Sequence, residues 1–207
     1  MIKKVGIINY GAGNLMSITK AIEVLGLQTY ILDKPIKKEF DLLILPGVGS
    51  FGPAMKTIFK NGLYEEIINF FNSERPILGV CLGIQLIFEK SEEAKDVCGL
   101  KLLKGKVVKF KNRSLPIPHM CWNIVKFKEN IPLILEGLRD KEFFYFVHSY
   151  YPVPRQKNII FATTEYGEEF CSMIVKDNIV ATQFHLEKSG PKGLKLLENI
   201  IKYFNKL

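Results

Sequence analysis

The chain is poor in cysteine, histidine and arginine and lacks long apolar runs, and each scarcity narrows what it can be. Its 207 residues include only 4 cysteines and 3 histidines. Cys81, Cys98, Cys121 and Cys171 form no C-x-x-C pair, which argues against a disulfide framework and against a zinc ribbon. His119-Met120-Cys121 could offer two metal ligands, but nothing nearby completes a tetrahedral set, so no metal and no cofactor is expected. The apolar stretch Val5 to Ile8 is cut short by Asn9-Tyr10-Gly11, far below the ~20 residues of a membrane span and too short for a secretion signal. The expectation is a cytoplasmic protein that does not contact membranes.

Arginine is scarce in a basic chain: the formal charge is +8, and all but Arg75, Arg113, Arg139 and Arg155 of the 29 basic residues are lysine. The densest basic stretch is Lys101, Lys104, Lys106, Lys109, Lys111 and Arg113. Bidentate base reading favours arginine, and no helix-turn-helix or zinc-finger spacing is present, so a solvated lysine face is expected rather than a nucleic-acid site. Such a face can also attract an anionic substrate or an acidic partner. The sequon Asn112-Arg113-Ser114 has no consequence in the cytoplasm. No linker, repeat or low-complexity tract interrupts the chain, and a chain of this size buries roughly 70% of its unfolded surface, so residues 1–207 are expected to form one domain.

What is present alternates strand and helix. Val5 to Asn9 reads as a buried strand, and Leu15, Ile18, Ala21, Ile22 and Leu25 have the 3.6 spacing of a helix that Gly26 stops. Thr29 to Leu32 and Leu42 to Leu45 read as strands, with helices over about 54–60 and 63–72. This order predicts a parallel sheet covered by helices, with functional loops at the carboxyl ends of its strands. Beyond Gly99 come short β runs, Lys106 to Phe110, Phe143 to Val147, Ile159 to Thr164, Cys171 to Val175 and Ile179 to Phe184, and then a helix over about 192–204. His119, between Pro118 and Met120, reads as a loop residue, and His148 as the residue after an aromatic strand.

Chemistry concentrates in Gly79-Val80-Cys81-Leu82-Gly83, where the apolar run from Ile77 meets the amphipathic run Ile84 to Phe88. A nucleophile on a sharp strand-to-helix turn needs small neighbours two residues to either side, and a helix start favours negative charge through its dipole and free N–H groups. The Leu82 N–H would be the first of those groups to meet an oxyanion. Downstream, His185-Leu186-Glu187 closes the run Ile179 to Phe184. On extended backbone, residues two apart share a face, so Glu187 would orient His185 towards the thiol. Neither other histidine has a carboxylate two residues away. A Cys–His site performs acyl transfer, and the backbone of Pro46-Gly47-Val48-Gly49 is the candidate second oxyanion donor. The alternatives are a buried structural cysteine, a satisfied core histidine and an ordinary turn at the glycines.

With these motifs in view, the chain resembles the class I, or triad, glutamine amidotransferases. Within that family it is most similar to the glutaminase subunits of imidazole glycerol phosphate synthase. The likeness rests on Gly79 to Gly83, Asn9 to Asn14, Pro46 to Phe51, Pro118 to Asn123, Phe146 to Tyr150 and Gln183 to Gly190. It implies a three-layer α/β fold with a mostly parallel central sheet, a nucleophile elbow and an antiparallel β extension. It also implies hydrolysis of L-glutamine to glutamate and ammonia, the ammonia passing to a (β/α)₈ cyclase subunit in a heterodimer for imidazole glycerol phosphate and AICAR formation in histidine biosynthesis. By resemblance, Cys81, His185 and Glu187 are catalytic, Val48 and Leu82 line the oxyanion hole, and Gly49, Gln85, His148, Ser149 and Tyr150 hold glutamine. Asn14, Trp122, Tyr145 and Lys188 would face the partner. Two residues depart from the family: Cys121 stands where glycine is usual and Leu186 where proline is usual, the latter expected to loosen the His185–Glu187 pair while leaving the backbone able to stay extended. Those departures keep open a glutaminase for a sugar amidotransferase or other synthase. A silent binding module and a cysteine peptidase are the readings from other classes.

Overall fold

The computed structural model describes residues 1–11, 15–35, 39–111, 115–128 and 131–207. Its first part follows the predicted alternation: β1 (Lys4–Ile8), α1 (Leu15–Val24), β2 (Gln28–Leu32), β3 (Leu42–Leu45), α2 (Phe51–Lys60), α3 (Leu63–Asn72), β4 (Ile77–Val80) and α4 (Leu82–Leu86). Then come β5 (Lys90–Ser91), β6 (Ala94–Cys98), β7 (Gly105–Lys109), β8 (His119–Phe127), β9 (Lys141–His148), β10 (Tyr150–Pro154), β11 (Ile160–Glu165), β12 (Glu169–Lys176), β13 (Ile179–Thr182) and α5 (Gly190–Phe204). Two helices begin earlier than the apolar pattern suggests. Pro53 is tolerated in the first turn of α2 because no intrahelical N–H bond is required there, and Pro191 sits likewise at the start of α5.

Thirteen strands divide into a nine-stranded sheet, ordered β2-β1-β3-β4-β13-β12-β11-β8-β9, and a four-stranded sheet, ordered β10-β7-β5-β6. From β2 to β13 neighbouring strands run parallel. The remaining four, β12, β11, β8 and β9, add antiparallel, forming the expected extension. Of the second sheet only β7 was legible in the sequence, as the run Lys106 to Phe110. Its strands β5 and β6 are short and mostly polar, so neither shows the alternation that marks a half-buried strand.

Alternation along the parallel strands explains the three layers. Leu42 and Ile44 of β3 pack with Leu78 and Val80 of β4 into one core, against Ile18 and Ile22 of α1 and Leu196, Leu197 and Ile200 of α5. Leu43, Leu45 and Ile77 face the other way, into a core with Met55 and Ile58 of α2, Ile67 and Phe70 of α3, and Ile84 of α4. A period-two strand buried on both faces reads as a continuous apolar run, as Leu42 to Leu45 does. Lys101, Lys104, Lys106, Lys109 and Lys111 are all exposed, a solvated basic face as expected. No helix among the described residues is long and apolar enough to cross a membrane.

Glycine is required where α4 meets the sheet. A Cβ on Gly83 would run into the main-chain carbonyl of Leu45, and one on Gly79 would come within 2.9 Å of the Ala181 Cβ. The first contact is backbone on backbone, so no rotamer change relieves it. Gly83→Ala is therefore expected to cost about 1–3 kcal/mol, lowering the Tm by roughly 2–12 °C in a calorimetric scan; an unchanged Tm would refute the close approach.

Candidate active site

Cys81 sits on the turn that this close packing allows, with φ 49° and ψ −96°. A non-glycine residue there is strained, and such strain persists only where the surroundings over-determine it. Here the Cys81 N–H donates to the Thr182 carbonyl at 2.7 Å, tying the elbow to the end of β13. The thiol itself is buried. Its Sγ lies 3.7 Å from the Val147 carbonyl and 3.7 Å from Nε2 of Gln183.

His185 follows β13, and its Nδ1 lies 2.7 Å from Oε1 of Glu187. The contact does not form as the sequence suggested. His185 ends the extended stretch, and Leu186–Lys188 wind into a 3₁₀ turn that folds the carboxylate back onto the ring. Leu186 thus does not keep the backbone extended; it turns inward and is buried in the core with Phe184 and Leu196. The turn is clamped to β9: His185 N–H donates to the Tyr145 carbonyl at 3.0 Å, Tyr145 N–H donates to Ser189 Oγ at 3.0 Å, and Ser189 Oγ donates to the His185 carbonyl. Ser189 carried no pattern that marked it beforehand.

Both His185 Nε2 and Glu187 Oε2 are buried without a hydrogen-bond partner among the described residues. A buried ring nitrogen left open is costly unless it awaits a proton exchange or a ligand. Burial works against charge on His185, yet negative charge on Cys81 and the Glu187 carboxylate outweigh it and raise its pKa to about 10. The imidazole is held protonated, opposite the sulfur it would serve. The other two histidines behave in the reverse way: burial pushes His119 down to about 4 and His148 to about 3. His119 is not in a loop but opens β8, fully buried, and His148 closes β9 rather than following it.

A cavity of about 290 Å³ opens at Cys81 between the elbow, the loop 47–50 and the segment 147–150. Val48, Gly49, Leu82, Gln85, His148, Ser149 and Tyr150 all line it, so the structure brings every residue predicted for oxyanion and substrate binding to one place. Gln85 Nε2 donates to the Tyr150 carbonyl at 2.9 Å and approaches Gln183 Oε1 at 3.3 Å. Gln183, fully buried between Gln85 and Cys81, was quoted within a motif but given no role. Glu93 was missed altogether. Its carboxylate accepts the Phe51 N–H at 2.8 Å at the start of α2, and it is the one acidic residue lining the cavity. A wider depression of about 980 Å³ lies at the opposite, amino ends of the strands beside Asp41 and Arg75, away from this chemistry.

The two backbone N–H groups expected to meet an oxyanion, those of Val48 and Leu82, do not both face the cavity. A Cβ on Gly47 would lie 2.8 Å from that of Cys81, so only glycine lets this backbone run against the elbow. The Leu82 N–H points at the Gly47 carbonyl, 3.4 Å away. In a trans peptide the C=O and the following N–H point oppositely. The Gly47 oxygen therefore occupies the Leu82 donor while the Val48 N–H is turned from it.

The predicted partner-facing residues also cluster. Trp122 and Tyr145 pair across β8 and β9 with ring centroids 6.2 Å apart, and Lys188 Nζ lies 6.0 Å from the Tyr145 ring centroid. Met120, Trp122, Ile124 and Phe143 share that outward face and are 57, 51, 36 and 54% exposed. Cys121 lies on the opposite side of β8, itself exposed. Asn14 lies outside the described residues. No group of three metal-ligating side chains comes together among the described residues.

Comparison with known proteins places this geometry. Residues 6–203 match the family model described as glutamine amidotransferase class-I. The imidazole glycerol phosphate synthase subunit HisH 1 of Methanococcus maripaludis is 48% identical over 96% of this chain and 98% of its own length. The HisH subunit of Aquifex aeolicus is 46% identical over 97% of each. In fold, a chain of the PurLQS structure from Thermotoga maritima superposes with a TM-score of 0.75 at 19% identity, covering 98% of this chain and 99% of that one. A glutamine amidotransferase from the same organism gives 0.66 at 18% identity, covering 100% of this chain and 84% of that one.

The titration of His185 tests the electrostatics. Glu187→Gln removes one of the two charges that raise its pKa, so the imidazole should lose its proton at a distinctly lower pH in an NMR titration. Its stabilising contribution is present below the unfolded value of about 6.5 and lost as pH rises towards 10. A wild-type imidazole that is already neutral at pH 8 would contradict this arrangement.

Proposed function

This chain belongs to the class-I glutamine amidotransferase family, and on that premise we infer that it is the glutaminase subunit of an imidazole glycerol phosphate synthase. One observation carries the chemical part: Cys81, on its strained turn, opens into the same 290 Å³ cavity as Gln85 and Glu93, with protonated His185 and its carboxylate behind it. That volume is slightly below the range of about 300–1,000 Å³ usual for drug-sized ligands, which suits one amino acid and not the extended cleft of a peptidase.

Residues 1–207 act as one domain in this reading. Cys81 sulfur attacks the side-chain amide carbon of L-glutamine, forming a C–S bond and a tetrahedral oxyanion. His185 passes its proton to the departing nitrogen, which leaves as ammonia, and a glutamyl thioester remains on Cys81. His185, now neutral, takes a proton from water as the water oxygen adds to the thioester carbon; the C–S bond then breaks, releasing the acid, which ionises to glutamate, and restoring the Cys81 thiolate beside protonated His185. Glu187 orients the ring throughout. Glu93 meets the substrate α-ammonium, Gly49, Gln85 and the 148–150 backbone hold its remaining polar atoms, and Leu82 and Val48 supply the oxyanion N–H groups. No cofactor takes part.

The apolar face of Met120, Trp122, Ile124 and Phe143, together with Tyr145 and Lys188, is where the cyclase subunit docks. Its position next to the His185–Ser189 turn places ammonia release near the contact. Four free thiols suit the reducing cytoplasm.

Cys81→Ala should abolish glutamine hydrolysis and leave the circular dichroism spectrum and cyclase binding intact; residual turnover at the wild-type rate would eliminate Cys81 as the nucleophile. The second expectation comes from the occupied Leu82 N–H. One missing oxyanion donor typically lowers turnover by about 10²–10³, so the isolated chain should be a poor glutaminase, activated about 100-fold or more by the cyclase subunit and its ligand. High steady-state activity from the chain alone would argue against a loop that must turn.

A further inference from the structure

The two histidines that take no part in the triad are bonded to each other, and the bond has a direction. Nδ1 of His119 lies 2.9 Å from Nε2 of His148, and Nδ1 of His148 lies 2.9 Å from the Tyr150 carbonyl. A carbonyl only accepts, so Nδ1 of His148 carries the hydrogen. A neutral ring has one N–H, which leaves Nε2 of His148 as acceptor and makes His119 Nδ1 its donor. His119 Nε2 must then accept, and Asn123 Nδ2 faces it at 3.2 Å. The amide of Asn123 is oriented independently, since Nδ2 also donates to the Glu165 carbonyl at 2.9 Å while Oδ1 accepts the Ile124 N–H at 2.7 Å. Every tautomer in the chain is thereby determined. Burial keeps both rings neutral, with the two pKa values near 4 and 3.

The relay ends on an oxygen that belongs to the cavity. The Tyr150 carbonyl also receives Gln85 Nε2, so His148 and Gln85 converge on one acceptor. At its other end the relay is held flat: the His119 ring stacks between Phe146, 4.7 Å away, and Tyr166, 4.0 Å away. Asn123 lies on β8 immediately after Trp122 of the outward apolar face.

We propose that His119, backed by Asn123, is a positioning residue for glutamine: it fixes His148 as the Nδ1–H tautomer, and His148 in turn fixes the Tyr150 carbonyl and with it Gln85 and the 148–150 backbone. This rests on the reading of the cavity as the glutamine site. Hydrogen bonds that orient the pocket in ground state and transition state alike act on KM rather than on kcat.

The test uses the chain assembled with its cyclase subunit. His119→Phe keeps a stacked ring without the donor and should raise the KM for glutamine about tenfold while kcat stays within twofold. His119→Asn places an amide N–H where Nδ1 stood and should return KM to within about threefold of wild type. Long-range ¹H–¹⁵N NMR of the wild-type protein should show His148 as the Nδ1–H tautomer. The Nε2–H tautomer would overturn the proposal whether or not the variants fold. So would a folded His119→Phe with unchanged KM, a loss confined to kcat, or an Asn variant as impaired as the Phe variant, which would point to ring packing alone. A wild-type assembly without glutaminase activity would instead sink the substrate reading, leaving the tautomer measurement to judge the relay.

Discussion

The placement of Cys81 and of the loop beside it follows from the close approach of two backbones, α4 against the end of β3. Because Gly83 has no side chain, the helix can start directly over the Leu45 carbonyl. That forces the preceding residue, Cys81, into a conformation that a free chain avoids and leaves its sulfur above the sheet edge. The loop after β3 then has nowhere to go but past the elbow, which is why Gly47 too must be bare. The strained cysteine, the glycine loop beside it and the helix start are consequences of one packing choice. The cost of the strained cysteine is offset by the two buried cores that grip β3 and β4 from either side.

The three histidines show how position rather than residue type sets protonation. All three are buried. His185 has a carboxylate and the cysteine for neighbours and is held charged; His119 and His148 have each other, aromatic rings and a carbonyl, and are held neutral. One charged ring and a bonded pair of neutral ones are thus made from the same side chain by their surroundings alone.

Much of this was legible in the sequence because it depends on local pattern. The inner parallel strands β3 and β4 are wholly apolar runs, and the elbow shows as glycines spaced two residues from Cys81. The partnership of His185 and Glu187 was also legible, although its geometry was not: spacing of two suggests a strand, whereas Ser189 and the Tyr145 backbone pull the segment into a turn. Glu93 and Gln183 were invisible for a different reason. Each reaches the site across long stretches of chain, Glu93 through the start of α2 and Gln183 through Gln85, and no periodicity records such contacts. His119 reads as a loop residue in the sequence because Pro118 precedes it, yet β8 begins at His119 itself and buries the ring.

Tyr145 has both backbone groups committed to the turn that carries His185, while its side chain sits among the outward-facing residues. The strand has in effect one inner edge and one outer skin. Its path cannot be altered without moving His185, but the side chains on its surface are free to change. A lineage with this architecture can therefore repaint the outer face of β8 and β9 while His185 stays in register beneath it.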